Sequence, residues 1–226
     1  WTRTDFTVFL VNSHSIDQKN GEIWTVQADL QPISFKSDSL LAPAMRLKAE
    51  HLAAHLQREL GSLYVVFGDE PLLALEAADA IRAAARAKGY SERDLFTVEA
   101  GFNWQNLLAS GNNFSLFAEQ RILEIRIPTG KPGLEGGKAL EARCASLPPD
   151  TLVLVTLPKL DKTQQGSKWF KALEAAGTVV QVYPVERSRL PEWIAGRLSA
   201  QNQRAERDAL QFLADRVEGN LLAAHQ

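Results

Sequence analysis

A chain of 226 residues that is 45% hydrophobic and 23% charged is long enough for one well-buried core and part of a second. Its formal net charge of −2 supplies no global basic field, which argues against strong sequence-independent binding to nucleic acid by this chain alone. The single cysteine, Cys144, excludes an internal disulfide framework, and no apolar run is long enough to span a membrane, so we expect a cytoplasmic protein.

Residues 1–44 differ in composition from the rest of the chain. They combine polar, Ser-containing stretches with two short apolar runs, at 6–11 and 23–26, and Pro32 and Pro43 interrupt them. The only methionine, Met45, follows directly, and leucines at 47, 52, 56 and 60 then predict a helix. The simplest interpretation is that Met45 is a native start and that residues 1–44 are an extension, a fusion scar or upstream readthrough, to be excluded from fold reasoning. An added β-hairpin is the alternative.

From Gly61 onward, strand-like and helix-like segments alternate. The continuous apolar run 63–67 is typical of a strand that is buried on both faces of a parallel sheet, and a helix is predicted to begin near Pro71. Further strands are predicted at 95–98, 122–127, 151–157 and 178–183, separated by helices at 104–109, before 147 and at 167–176. This order predicts a doubly wound, mostly parallel α/β sheet of about five strands over residues 45–184.

The strand-like segments stop after Pro184. Helices are predicted from about Ser188 and from Arg204 to Val217, and an apolar pattern resumes at Leu221. Residues 185–226 therefore predict the start of a small helical lid domain. Because the sequence stops where an apolar pattern has just resumed, we expect that this domain is truncated.

A short apolar segment, Phe114-Ser115-Leu116-Phe117, follows the turn-forming residues 111–113 and precedes the strand at 122–127. This position predicts an element at the lip of a domain rather than in the middle of a strand. The segment is either a plug in the chain's own core or a bait for a partner, and composition alone favours the plug. As a bait, burial of Leu116 and Phe117 would supply about 3–6 kcal/mol.

The loop after the first strand is the place where a sheet of this type would bind phosphate. A working P-loop needs several glycines, a Lys and a Ser or Thr, whereas this loop reads Gly68-Asp69-Glu70-Pro71 and has no Lys. In addition, strand 151–157 runs into Pro158 and Lys159, where a Walker-B strand would end in an acidic residue. We predict a degenerate, non-functional P-loop, no catalytic residues, no cofactor and no metal. A nucleotide-binding, P-loop-like ATPase with a degenerate loop is the alternative.

Four segments of the sequence carry a family likeness. They are residues 63–73 (LYVVFGDEPLL), residues 113–121 (NFSLFAEQR), Leu160-Asp161-Lys162 ahead of Trp169-Phe170, and residues 218–223 (EGNLLA). In this order and spacing they resemble the delta-subunit family of bacterial DNA polymerase III clamp loaders. The resemblance runs from about Met45 to Gln226 and does not cover residues 1–44.

The resemblance implies an AAA+ architecture that does not itself hydrolyse ATP, in a subunit of a DNA-directed DNA polymerase holoenzyme, a nucleotidyltransferase complex. In that family the Ser-Leu-Phe segment inserts into a hydrophobic pocket of the ring-shaped sliding clamp, the beta subunit, and helps to open the ring for loading onto primed DNA. Carried over to this sequence, Leu116 and Phe117 would be the anchors, with Phe114 and Ser115 beside them.

The partners implied by the resemblance are the sliding clamp and the other loader subunits, gamma/tau and delta prime. DNA would be contacted only within the assembled complex, and no membrane is involved. Family members also carry a carboxy-terminal collar domain, which we expect to be absent here. Full loader assembly by this sequence would then be in doubt.

Overall fold

The computed structural model describes residues 45–110, 120–148, 150–217 and 219–225. The strands are β1 (Met45–Lys48), β2 (Leu63–Gly68), β3 (Glu92–Thr97), β4 (Arg121–Arg126), β5 (Thr151–Pro158) and β6 (Thr178–Val182). The helices are α1 (Ala49–Arg58), α2 (Pro71–Ala87), α3 (Trp104–Ser110), α4 (Gly133–Ala145), α5 (Lys162–Gln165), α6 (Lys168–Ala176), α7 (Leu190–Ala200), α8 (Arg207–Val217) and α9 (Leu221–His225), and a 3-10 turn at Arg187–Arg189 precedes α7.

The strands form one sheet in the order β1-β6-β2-β5-β4-β3, and every neighbouring pair is parallel. The predicted doubly wound α/β sheet is therefore confirmed. The described part of the chain contains six strands rather than the expected five or so, because an edge strand, β1, is added beside β6.

The assignment of Leu47 to a helix was wrong. Leu47 lies in β1 opposite Val180, and α1 begins only at Ala49. The buried stripe of α1 consists of Leu52 and Leu56, which are one turn apart. Leu47 precedes Leu52 by five positions, a spacing that does not share a helix face, so this part of the leucine pattern carried no helical signal.

Both faces of the sheet are covered by helices, which is why the central strands are apolar at nearly every position. Alternate residues of β2 point to opposite faces: Val65 and Phe67 belong to the core beneath α3, α4 and α6, whereas Tyr64 and Val66 belong to the core beneath α1 and α2. This alternation positions the end of β2, and with it the loop at Gly68, between two packed layers.

A third, smaller core lies among α7, α8 and α9. It consists of Leu72, Leu190, Ile194, Ala214 and Leu221. Leu72 belongs to the first turn of α2, so the helical part of the chain packs against the same end of α2 that carries the loop at 68–71. Within the residues that the structure describes, no helix is long and apolar enough to cross a membrane.

Candidate functional site

The loop at 68–71 lies at the carboxyl end of β2, where sheets of this type bind their ligands. Gly68 is the last residue of β2 and packs against β6. A Cβ atom at this position would lie 2.1 Å from the carbonyl oxygen of Val182. Close strand packing therefore accounts for glycine at 68 without any phosphate beside it.

Helix α2 begins at Pro71, and Glu70 is its N-cap residue. Pro71 occupies the first turn, where its missing N–H leaves no donor unsatisfied. The carboxylate of Glu70 accepts a hydrogen bond from the Leu72 N–H at 3.3 Å, so it caps the helix. Glu70 is nearly buried, and burial raises the pKa of its carboxyl group, as does the nearby Asp69, while the bond from Leu72 opposes the shift. A donor that a P-loop would offer to phosphate is thus bound to a side chain of the protein itself.

An ion pair joins this loop to the neighbouring strand. Lys159 follows β5, which pairs with β2 so that Pro158 lies opposite Gly68. The Lys159 Nζ lies 2.5 Å from Oδ2 of Asp69. In a P-loop hydrolase the lysine belongs to the loop and the acidic residue to a strand end, so the two charges are reversed here. The carboxylate of Asp69 thus already has a cation of the protein itself as its partner.

β4, which lies next to β5 in the sheet, also has no acidic residue directly after its end. β4 ends at Arg126 and continues into Ile127, Pro128 and Thr129. Among the described residues, no group of three or more His, Cys, Asp or Glu side chains is arranged to hold a metal ion. The ends of β5 and β4 lead into Lys159 and Thr129 as their first polar side chains.

The predicted partner-binding residues Phe114, Ser115, Leu116 and Phe117 lie outside the described residues. The structure does describe both flanks of this segment, where α3 ends at Ser110 and β4 begins at Arg121. The Arg121 Nη1 donates a hydrogen bond to the Ser110 carbonyl at 3.1 Å, so the two flanks contact each other. Sequence reasoning missed this contact, because an arginine at the start of a strand carries no signal for its partner.

The sequence model of the family described as DNA polymerase III, delta subunit, matches residues 64–183, which is more than half of the chain. The chain belongs to this delta-subunit family. The delta subunit of Escherichia coli (strain K12) is 33% identical over 182 residues, which are 80% of this chain and 53% of the relative. The chain spans about half the length of the curated delta subunits that it matches.

Solved structures agree with the fold. The Bacillus subtilis DNA clamp loader delta protein superimposes with a TM-score of 0.58 at 20% identity, over 79% of this chain and 55% of that one. The Holliday junction branch migration motor RuvB of Thermotoga maritima superimposes with a TM-score of 0.50 at 17% identity, over 78% of this chain and 56% of that one. At these identities the likeness concerns the fold alone, and it agrees with the doubly wound α/β sheet of this chain.

Proposed function

We propose that this chain is the part of a clamp-loader delta subunit that binds the sliding clamp and helps to open the ring for loading onto primed DNA, without hydrolysing ATP itself. Family membership supports a place in the loader. Two observations support the proposal that the chain does not hydrolyse ATP. The ion pair between Asp69 and Lys159 has its charges reversed relative to a P-loop hydrolase, and Glu70 caps α2. These side chains occupy the positions from which a P-loop would bind phosphate and metal.

Segments as well as single residues have roles in this function. Leu116 and Phe117 anchor the chain to the clamp, and Phe114 and Ser115 flank them. Residues 45–184 form the AAA+-like domain that presents this segment, residues 185–226 belong to the helical lid, and residues 1–44 lie outside the family resemblance. Gamma/tau and delta prime are the remaining protein partners, DNA is contacted within the assembled complex, and the site of action is the cytoplasm.

The clamp-binding role is tested by replacing both anchors with alanine and measuring the affinity for the sliding clamp by calorimetry. Burial of these two side chains is worth about 3–6 kcal/mol, so we expect Leu116→Ala/Phe117→Ala to weaken binding at least 100-fold. The matched control is Leu134→Ala/Phe212→Ala, which removes a leucine and a phenylalanine that are exposed elsewhere on the chain and should leave the affinity within twofold. Equal affinity in the double-anchor variant and the wild type would refute the proposal.

The ATPase alternative is tested by thermal unfolding with and without MgATP. A nucleotide present at 100 times its dissociation constant would add about 2.7 kcal/mol, which corresponds to a rise in Tm of about 5–10 °C for a chain of this size. We expect no rise, since the loop has no lysine and the Leu72 N–H is already bound to the carboxylate of Glu70. A rise of several degrees that depends on Mg²⁺ would instead favour the alternative.

A further inference from the structure

Helix α3 is short and depends on its neighbours. Its seven residues are too few for a stable isolated helix. Leu107 is fully buried, and the ring of Trp104 packs so closely on α4 that a Cβ atom at Gly136 would lie 2.3 Å from it. The helix is therefore fixed to α4 near its start and its middle.

Two arginines hold the other end of α3. The Arg143 Nη2, on α4, donates a close hydrogen bond to the Leu107 carbonyl and another to the Leu108 carbonyl at 3.2 Å. The Arg121 Nη1 donates to the Ser110 carbonyl at 3.1 Å. The last carbonyl groups of a helix lack partners within the helix and attract positive charge, so both guanidinium groups match this end electrostatically.

Arg143 makes these contacts at an energetic cost. It is only 6% exposed, and in the described part of the chain its hydrogen-bond partners are all main-chain carbonyl groups. Its Nε atom is buried and has no hydrogen-bond partner among the described residues. Burial, and then the positive charge of Arg121, lower the pKa of the Arg143 guanidinium. An apolar side chain would pack at such a site without these costs, so packing alone does not explain the arginine.

The position of this end of α3 provides the explanation. The helix α3 ends at Ser110 and the chain is described again from Gln120, so Arg121 connects the two flanks of residues 111–119. The second flank is fixed independently, because the Gln120 carbonyl accepts from the Ser91 N–H and the Arg121 N–H donates to the Asp150 carbonyl, each at 3.0 Å. Both flanks of the apolar segment are thus anchored to the sheet or to α4.

We propose that Arg143 and Arg121 are positioning residues for clamp binding, because they fix the end of α3 that precedes the segment carrying Leu116 and Phe117. This inference rests on the proposed clamp-binding function. Holding the two flanks of a binding segment at a fixed separation lowers the conformational entropy that binding must still remove, and this raises affinity without any direct contact to the partner.

The test compares two buried arginines in the full 226-residue chain. Arg143→Met removes the donors to α3 but keeps the volume, and Arg82→Met is the matched control on α2, where the arginine is 5% exposed and contacts Glu124 instead of α3. Calorimetry with the sliding clamp, at a temperature where urea unfolding shows both variants folded, should give at least a tenfold weaker affinity for Arg143→Met and a change within twofold for Arg82→Met. Arg143→Lys, which keeps one donor, should recover part of the affinity.

A second measurement, hydrogen exchange in the absence of the clamp, probes the two flanks of residues 111–119. Hydrogen exchange of peptides covering 104–110 and 120–126 should be faster in Arg143→Met than in the wild type, while the peptide covering β5 should be unchanged. Where Arg143→Met does not fold, Arg121→Met provides the same comparison.

The outcomes separate the two proposals. Loss of affinity in the Leu116/Phe117 double variant together with wild-type affinity in Arg143→Met would overturn the positioning role alone. Equal losses in Arg143→Met and Arg82→Met would also overturn it, because the effect would then be general destabilisation. Wild-type affinity in the double variant would overturn the clamp-binding function, and the positioning role with it.

Discussion

Glu124 shows how a single charge is accommodated inside the sheet. It lies on β4, is fully buried, and accepts hydrogen bonds from Arg82 at 3.0 Å, Arg93 at 2.9 Å and Arg126 at 2.7 Å. Burial by itself would raise the pKa of Glu124, but the hydrogen bond from Arg126 and the charges of the three arginines outweigh it and lower the pKa below the ordinary value of 4.5. Ionised Glu124 therefore stabilises the folded chain.

We predict that Glu124→Gln destabilises the protein by about 3 kcal/mol at pH 7, measured by urea unfolding. Removing one partner of a buried ion pair costs about 3–5 kcal/mol, and the lower figure applies because Arg82 still contacts Asp79. Asp79→Asn is the control, and it should cost less than about 1 kcal/mol because this carboxylate is mostly exposed.

The stability difference between wild type and Glu124→Gln should also depend on pH in a defined direction. A carboxyl group with a lowered pKa in the folded state contributes stability above its unfolded pKa and loses this contribution as the pH falls through the folded value. The difference between wild type and Glu124→Gln should thus be constant near neutral pH and shrink below about pH 4.5. A difference that grows on acidification would contradict the role assigned to ionised Glu124.

The burial of Glu124 and of Arg143 could not be predicted from the local sequence pattern. In the sequence, residues 123, 125 and 127 of the predicted strand are apolar, and the other face of the strand, which carries Glu124, is mixed. Glu124 is nevertheless buried because Arg82 and Arg93, 42 and 31 residues away, surround it. Arg143 likewise reads as a solvent-facing helix residue, since nothing near it in sequence identifies the carbonyls of α3 as its partners.

At the scale of elements, Gly68 in the connection from β2 to α2 is explained by strand packing and does not require phosphate binding. We predict that Gly68→Ala destabilises the fold by about 3 kcal/mol in urea unfolding, because its Cβ would lie 2.1 Å from a backbone oxygen of β6, which cannot easily move. Gly61→Ala is the matched control. There the nearest atom would be 3.7 Å away, so a change within about 1 kcal/mol is expected. Equal effects at both glycines would mean that the close approach of β2 and β6 does not constrain residue 68.

The elements themselves were largely predictable, for a physical reason. Strands buried on both faces must be apolar throughout, so 63–67 and 151–157 stand out in the sequence and form β2 and β5 at the centre of the sheet. The edge strand β1 is mostly exposed and has no such run, and it is recognisable only from its pairing with β6. Sequence likewise placed Asp69 and Lys159 at strand ends, but the register of β2 with β5 was needed to bring them together.

At the scale of the whole molecule, the helices α7, α8 and α9 pack on the start of α2 through Leu72 and the partly buried Leu73. Leu72 is the α2 residue that is buried in their core, beside Leu190 and Ile194. The bidentate ion pair of Arg197 with Glu76, one turn further along α2, adds a polar contact between the same two parts. This contact is partly exposed, so burial of Leu72 should dominate the free energy of attachment.

We therefore predict that Leu72→Ala loosens the helical part before it unfolds the sheet. Loss of a buried leucine costs about 2–5 kcal/mol, and this cost falls on the small core rather than on the two large ones. Hydrogen exchange should accelerate in peptides from α7 and α8 while the peptide covering β5 keeps its protection. Leu75→Ala, on the exposed side of the same helix, should leave both regions unchanged. If Leu72→Ala accelerated exchange equally in β5 and α8, the two parts would unfold as one cooperative unit, and the helical part could not move independently when a partner binds.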